Sequence, residues 1–167
     1  MPPAHEVFGD ELIELLPRLR RFARALSGDP HDADDLVQIA LERALSKSHQ
    51  LRAGAPLAGW MFGIVRNAWI DESRSRGRRK RLFAPEERVV EVADPAAGNQ
   101  AESLMVQSAV AGLPEEQREV IGLVLIEGLS YREAAQILAI PVGTVTSRLA
   151  RAREALQAQL GDAGGGI

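Results

Sequence analysis

The strongest constraint on the fold is a pair of short helical patterns in residues 130–153, SYREAAQILAIPVGTVTSRLARAR. Ser130 and Glu133 form an S-x-x-E pattern, which is typical of a reciprocal cap at a helix N-terminus. Pro141 and Gly143 interrupt the apolar spacing, because proline lacks an amide donor and glycine tolerates unusual backbone angles. The stretch therefore predicts a helix, a turn and a second helix.

The two predicted helices each have a buried and an exposed face. Apolar residues recur at spacings of three and four, which indicates one buried stripe on each helix: Ala134, Ile137 and Leu138, then Val145, Leu149, Ala152 and Leu156. The opposite face of the second helix carries hydroxyl and guanidinium groups, at Thr144, Ser147, Arg148 and Arg151. Such groups suit phosphates and base edges, so the pair has the features of a DNA-binding helix-turn-helix. Two packed helices with a solvated charged face are the plainer alternative.

Composition excludes several classes of protein. The 167 residues allow one ordinary domain or two small ones, and 46% apolar residues is typical of a globular protein. The chain has no cysteine, which excludes disulfides and thiolate metal sites. His5, His31 and His49 are scattered in polar contexts. Since there is also no nucleophile–base pair and no glycine-rich phosphate loop, we expect no metal, no cofactor and no small-molecule substrate.

The sequence also bears on location. It contains no apolar run of the roughly 20 residues that span a bilayer. Its start, MPPAHEVFGDE, carries acids where a secretory signal has basic residues and an apolar core. We therefore expect a cytoplasmic protein without membrane insertion.

Helical periodicity continues on both sides of a segment that lacks it. The first half of the chain predicts three helices. The first covers about residues 10–27, the second begins after a cap at Asp29 or Asp32, and the third begins near Leu57. The segment that follows is rich in proline, alanine and acids, which is typical of a linker. We expect an all-α fold of two small helical domains joined by a flexible acidic linker. The predicted bounds are 1–82 and 102–160 for the domains, 83–101 for the linker and 161–167 for a disordered tail.

The third predicted helix combines aromatic and basic residues. Its inward face is predicted to hold Trp60, Met61 and Ile64, and its outward face Phe62, Arg66, Trp69, Ser73 and Arg76. Exposed aromatic rings beside arginines suit unpaired bases, and the Asn67 amide could bind the edge of an extruded base. Six basic residues in 74–81 would neutralise phosphates. The alternative is that the two outward aromatics belong to the core and the arginines only keep the protein soluble.

The second predicted helix has an acidic outer face, formed by Asp34, Asp35, Gln38 and Glu42. These groups do not favour DNA. A solvated face is the usual meaning of such a run, and the residues alone favour it over a docking surface for a basic protein helix. Paired aspartates also occur in metal-dependent phosphoryl chemistry, but no third carboxylate converges on them here.

Three segments resemble the extracytoplasmic-function sigma factors, the minimal two-domain specificity subunits of bacterial RNA polymerase. They are DADDLVQIALERAL at 32–45, WMFGIVRNAWIDESRSRGRR at 60–79, and LPEEQREVIGLVLIEGLSYREAAQILAIPVGTVTSRLARARE at 113–154. With the linker they cover roughly residues 10–160. The resemblance implies a factor that directs core polymerase to promoter DNA and is held inactive by an anti-sigma factor.

The resemblance also implies roles for individual residues. Docking on core polymerase falls to Asp35, Gln38 and Glu42, which favours the docking surface over the solvated face. Reading and opening of the −10 element falls to Trp60, Phe62, Arg66, Asn67, Arg74, Arg76, Arg78 and Arg79. Reading of the −35 element falls to Arg132, Thr144, Thr146, Ser147, Arg148 and Arg151. The acidic linker would enter polymerase channels that are lined for nucleic acid.

Four positions depart from the usual pattern. Ala139 stands where a glycine is common in the turn, and Thr146 replaces a frequent basic residue. Gly63 and Gly122 lie inside predicted helices, where each costs about 1 kcal/mol relative to alanine. These departures affect the expected −35 sequence and the helix rigidity, not the resemblance.

Two other functions fit parts of the sequence. A free-standing transcriptional regulator would use the same helix-turn-helix, would bind duplex operator without polymerase, and would normally be a dimer. A nucleic-acid enzyme would use Asp34, Asp35 and Asp71 with divalent metal. The aromatic and basic third helix and the acidic second helix argue against the regulator.

Overall fold

The computed structural model describes the backbone of residues 4–82 and 98–164 and the side chains of residues 6–78 and 104–161. In chain order the elements are α1 (Ala4–Ser27), α2 (Pro30–Ser46), a 3₁₀ turn (Ser48–Gln50), α3 (Leu57–Leu82), α4 (Gly98–Ala111), α5 (Glu115–Val120), a π-helical turn (Ile121–Ile126), α6 (Tyr131–Leu138) and α7 (Val142–Gly164). Since these ranges contain no strand, the all-α prediction is confirmed. We call α1–α3 the amino-terminal domain and α4–α7 the carboxy-terminal domain.

The amino-terminal domain is a three-helix bundle in which each helix packs on the other two. Asp29 caps α2, because its carboxylate accepts hydrogen bonds from the amides of His31 at 2.7 Å and Asp32 at 3.2 Å. The buried side chains of this domain include Leu19, Phe22, Leu26, Leu36, Val37, Met61 and Val65. The sequence predicts a cap at Asp29 or Asp32, and the structure places it at Asp29.

Helix α3 is buried on a wider arc than the sequence predicted. Phe62 is 0% exposed and Trp69 is 8% exposed, so the prediction that both lie on an outward face is wrong. The physical reason is that α3 packs on α1 and α2 and also on α6 of the carboxy-terminal domain. A single amphipathic stripe cannot describe a helix with partners on more than one side.

The carboxy-terminal domain contains the predicted helix-turn-helix in α6 and α7. The Ser130 hydroxyl accepts a hydrogen bond from the Glu133 amide at 3.1 Å and donates one to the Glu133 carboxylate at 2.9 Å. The cap therefore forms, although the carboxylate binds the hydroxyl and not the amide of Ser130. In α7, Val145, Leu149 and Ala152 are buried, as the spacing predicted.

The ends of two elements differ from the predicted boundaries. Helix α4 begins at Gly98, inside the segment predicted as linker, and the remaining linker residues 83–97 lie outside the described residues. Helix α7 continues to Gly164, into the predicted disordered tail, and residues 165–167 lie outside the described range. Once a long helix is nucleated, each further residue adds a hydrogen bond, so one glycine does not end it.

The two domains pack against each other through α1. Helix α1 contacts α4, α5 and the π-helical turn, and buried residues of both domains form one continuous cluster. Gly122 lies so close to α1 that a Cβ at this position would be 2.8 Å from Cδ2 of Phe22. This close approach explains why a glycine stands inside a helix at position 122.

Candidate nucleic-acid interface

The turn between α6 and α7 fixes the direction of the reading helix. Ala139 adopts a left-handed conformation with φ 54°, at the position where related turns often have glycine. The Ile140 amide then binds the Ala135 carbonyl at 3.1 Å. Pro141 precedes α7, and its carbonyl accepts from the amides of Thr144 and Val145 at 3.0 and 3.2 Å. These bonds close the first turn of α7 and set its polar face toward solvent.

The polar face of α7 is accessible. Thr146, Ser147 and Arg151 are exposed, whereas Thr144 and Arg148 are half-buried, and Arg132 of α6 is exposed. The hydroxyls of Thr146 and Ser147 donate to helix carbonyls at 3.1 Å, so their oxygens still have lone pairs for a donor. Arg148 Nε lies 3.8 Å from a carboxylate oxygen of Glu116, an exposed side chain that can move away. The six predicted −35 residues therefore come from one helix-turn-helix.

The aromatic and basic face of α3 is divided between the two domains. Phe62 packs edge-on against Phe22, with ring centres 5.4 Å apart, and the Arg18 guanidinium lies 5.3 Å from the centre of the Phe62 ring. Arg66 Nε donates to Oε1 of Glu119 at 3.1 Å. Glu119 belongs to α5 of the carboxy-terminal domain and is buried. Burial raises the pKa of its carboxyl above the ordinary value of 4.5, and Arg66 opposes that shift.

Other predicted −10 residues remain accessible on α3. Asn67, Arg74 and Arg78 are exposed, and Trp60 is half-buried with its ring 6.4 Å from that of Phe8. Arg79 belongs to α3, but its side chain lies outside the described residues, as do those of Lys80 and Arg81. The predicted −10 residues thus share one helix but not one environment.

Arg76 has a carboxylate partner within the amino-terminal domain. Its Nη1 and Nη2 atoms lie 2.7 Å from Oδ2 and Oδ1 of Asp32. This pairing raises the pKa of Arg76 above its usual value. A guanidinium held in this way is less available to a phosphate than an unpaired one, so Arg76 has a structural role that the sequence did not suggest.

The predicted docking residues lie on the exposed face of α2. Asp35, Gln38 and Glu42 are exposed and border a groove of about 330 Å³ between α2 and α3. Trp69 and Glu72 line the other side of this groove, and the Trp69 indole N–H has no hydrogen-bond partner. An acidic groove with apolar walls suits a basic protein helix better than it suits DNA.

Two of the aspartates that a nucleic-acid enzyme would use lie beside arginines. Asp34 and Asp71 each lie near an arginine, with Arg20 at 3.8 Å and Arg43 at 2.8 Å. No group of three histidine, aspartate or glutamate side chains in the described ranges could hold a metal ion. Within the same ranges, no helix has the length and apolarity that a bilayer crossing requires.

Two carboxylates of the carboxy-terminal domain escaped the sequence analysis. Glu119 is 4% exposed and Glu127 is 8% exposed, and both bind arginines of the amino-terminal domain. They flank the apolar run of residues 120–126. An acidic residue next to such a run is the sequence feature that could have indicated a buried carboxylate. Their partners lie 53 to 109 residues away in sequence, so no local pattern identifies them.

Comparisons with known proteins agree with this architecture. Residues 103–156 match the family model for sigma-70 region 4, and residues 12–66 match the model for the sigma2 domain of PhyR. The two matches fall on the carboxy-terminal and amino-terminal domains respectively. They assign a sigma-type domain to each half of the chain.

Individual relatives resemble the chain over most of its length. The ECF RNA polymerase sigma factor EcfG of Rhodopseudomonas palustris is 36% identical over 158 residues, which is 95% of this chain and 87% of the relative. The sigma factor RpoE, solved in complex with the anti-sigma factor NepR from Bartonella quintana, matches with a TM-score of 0.77 and 34% identity, covering 93% of this chain and 97% of that one. CnrH, solved with the cytosolic domain of CnrY, matches with a TM-score of 0.71 and 29% identity, covering 96% and 91%.

The family assignment decides between the functions that the sequence left open. Sigma factors are not enzymes, so the aspartates of α2 and α3 have no catalytic role. The match covers both domains and not only the helix-turn-helix, which distinguishes this chain from regulators that share that one module. The chain belongs to the extracytoplasmic-function (ECF) family of RNA polymerase sigma factors.

Proposed function

We propose that this sigma factor docks on core RNA polymerase through α2 and reads promoter DNA with α3 and α7. The observation that carries this assignment is the opposite chemistry of two exposed faces. The face of α2 presents the carboxylates of Asp35 and Glu42, and the face of α7 presents hydroxyls and the Arg151 guanidinium. Carboxylates repel phosphates and attract basic protein surfaces, whereas arginines bind phosphates and base edges.

In this proposal α7 enters the major groove at the −35 element. The residues assigned to it are Arg132, Thr144, Thr146, Ser147, Arg148 and Arg151. Their support is a shared place on the helix-turn-helix, where four of them are exposed and Thr144 and Arg148 are half-buried. Arg148 is assigned a base contact, because a guanidinium can bind one base pair through two hydrogen bonds and its neighbour Glu116 is exposed and can move away.

The −10 element falls to α3, through Trp60, Phe62, Arg66, Asn67, Arg74, Arg76, Arg78 and Arg79. Strand opening would be driven by capture of unstacked bases and not by nucleotide hydrolysis. Because both domains belong to one chain, binding of either DNA element raises the effective concentration of the other domain. The acidic linker would occupy polymerase channels that otherwise hold nucleic acid.

An anti-sigma factor is part of the proposal. Its support is that the similar sigma factor RpoE was solved in complex with the anti-sigma factor NepR, and that the similar protein CnrH was solved with the cytosolic domain of CnrY. This chain covers 97% of the first and 91% of the second. Because polymerase and promoter DNA are cytoplasmic in bacteria, we also propose a cytoplasmic location. Purification from the native host under non-inducing conditions should co-purify a stoichiometric inhibitor, and its absence would contradict this part of the proposal.

Run-off transcription tests the main assignment. Purified bacterial core polymerase and promoter DNA from the native host are combined with and without this chain, and specific starts should require it. A variant that carries Asp35→Ala, Gln38→Ala and Glu42→Ala should lose those starts. Asp34→Ala is the matched control, since Asp34 is exposed on the same helix but does not border the groove.

Two results would overturn the docking assignment. One is a triple variant as active as the wild type, and the other is an Asp34 variant that is equally impaired. Absence of any specific start, together with tight binding of duplex DNA by the chain alone, would favour the free-standing regulator.

A further inference from the structure

The two domains are closely packed against each other. The π-helical turn approaches α1 at Gly122, where a Cβ would meet Phe22 Cδ2 at 2.8 Å and Ala25 Cβ at 3.4 Å. Just after the end of α1, a Cβ at Gly28 would lie 3.1 Å from Cβ of Ala111. Approach this close requires complementary shapes at the C-terminal end of α1, because protein interiors tolerate few gaps.

Charge complementarity supports the same contact. Glu127, at the end of the π-helical turn, has a fully buried carboxylate that is bound by Arg18 and Arg21 through Nε at 3.0 Å each. Arg18 Nη2 also donates to the Glu127 carbonyl at 3.1 Å. In a separate contact, Arg66 of α3 binds Glu119 of α5. Every acid of these pairs belongs to the carboxy-terminal domain and every arginine to the amino-terminal domain.

The interface covers one of the functional faces and leaves the others open. On α3, the Arg66 side chain is 22% exposed and paired with Glu119, and α6 packs against the same helix. In contrast, Asn67, the docking face of α2 and the outer face of α7 are accessible. The Glu119 carboxylate contacts the Arg66 guanidinium in the manner of a phosphate oxygen, because both are anionic acceptors.

We propose that the carboxy-terminal domain is a built-in inhibitor of −10 recognition, in which Glu119 and Glu127 hold the two domains closed over α3 at Arg66. This inference rests on the proposed −10 role of α3. The closed chain can still meet polymerase and a −35 duplex, but the two domains must separate before α3 takes unstacked bases. Inhibition of this kind is encoded within the chain and needs no other protein.

The first test measures the distance between the domains. Because the chain has no cysteine, Ser46→Cys and Gln157→Cys place two labels at exposed positions, one in each domain. The wild type should give one short distance, by fluorescence transfer or pulsed electron spin resonance. Gly122→Ala should shift the population to longer distances, since the new methyl group meets Phe22. Gly9→Ala is the matched control, because a Cβ there meets nothing within 4 Å.

A charge swap provides an independent arm. Glu127→Arg should open the chain by placing three cations together, and added Arg18→Glu and Arg21→Glu should close it again. Closure of the triple variant would show that the acids and arginines act as partners and that each domain still folds. Glu6→Arg, at an exposed site on α1, controls for the change in net charge.

Binding of single-stranded DNA connects opening with function. The probe is a labelled pool of random 12-nucleotide strands, compared with a duplex of the same length. If the closed form predominates about tenfold, Gly122→Ala should bind the single strands about tenfold more tightly, with little change on duplex. An already open wild type, or an open variant with unchanged single-strand affinity, would overturn the proposal. Neither result depends on whether transcription starts are found, so failure here is distinct from failure of the proposed function.

Discussion

Arg76 and Asp32 form a two-point pair, with both guanidinium Nη atoms 2.7 Å from carboxylate oxygens, that joins the end of α3 to the first turn of α2. Paired fork geometry of this kind is the strong form of an arginine–carboxylate contact. The carboxylate also lies where the positive end of the α2 dipole favours a negative charge. Arg76 therefore stabilises the amino-terminal domain, whatever it contributes to DNA.

Arg76→Ala should lower the free energy of unfolding by about 1 kcal/mol, because it removes the charged hydrogen bonds and leaves Asp32 without this partner. Chemical denaturation at neutral pH measures the change, and a double-mutant cycle with Asp32→Asn isolates the pair. Arg78→Ala, on the same helix but exposed, should change stability by less than about 0.5 kcal/mol. Equal effects of the two alanine variants would show that the pair contributes nothing.

Ala139→Gly should stabilise the carboxy-terminal domain by about 1 kcal/mol. Ala139 has φ 54°, a conformation that is unfavourable for a residue with a Cβ and open to glycine. Differential unfolding of the variant and the wild type measures the gain. Ala150→Gly, at an exposed position inside α7, is the control, and should be destabilised by about 1 kcal/mol through the loss of helix propensity. A loss of stability at position 139 would mean that the alanine methyl group makes contacts worth more than the strain.

Stability should depend on pH through Glu119. Burial raises its folded-state pKa above the ordinary 4.5, so the folded chain binds this proton more tightly than the unfolded chain does. The contribution of the Glu119 carboxyl to the stability of the fold is therefore greatest below pH 4.5 and is lost as the pH rises through the raised folded-state pKa.

Denaturation of the wild type and Glu119→Gln across this pH range measures the effect. The glutamine variant keeps a hydrogen-bonding side chain without the proton equilibrium, so the stability of the wild type relative to this variant should fall as pH rises. A difference that grows with pH would mean that the ion pair with Arg66 outweighs burial.

The helices and their caps were predictable because they depend on neighbours in sequence. The Asp29 and Ser130 caps and the stripe of Val145, Leu149 and Ala152 repeat at spacings that the chain displays directly. The polar face of α7 follows from the same spacing, since it lies opposite that stripe.

The interdomain interface was not predictable in this way. Glu127 binds an arginine 109 residues earlier in the chain, and no periodicity connects such positions. A single apolar stripe on α3 predicts an exposed Phe62, whereas the helix packs against elements of both domains and Phe62 is buried. Phe62 itself packs on Phe22 and Arg18 of α1, a contact that one apolar stripe on α3 does not predict.

Arg148→Ala should weaken binding at one −35 base pair by about 1–3 kcal/mol if the guanidinium makes a bidentate base contact. Titration of the variant and the wild type against a set of duplexes with single base-pair changes, at one fixed salt concentration, measures this. The variant should be insensitive to changes at that one pair. A uniform loss across all duplexes would assign Arg148 to a phosphate, and in that case the salt dependence of binding should also decrease.

Asn67→Ala should weaken promoter opening and leave polymerase binding intact. The Asn67 side chain is exposed on α3, so its amide contributes little to the stability of the fold. The neighbouring Arg66, in contrast, is bound by Glu119. A planar amide can donate to and accept from one base edge, which suits an extruded base. Fluorescence of a base analogue at the −10 element reports opening, and co-elution with core polymerase reports binding. Ser46→Ala, exposed at the end of α2, should alter neither measurement. Equal loss of opening and of polymerase binding in Asn67→Ala would make this side chain structural and remove it from the −10 site.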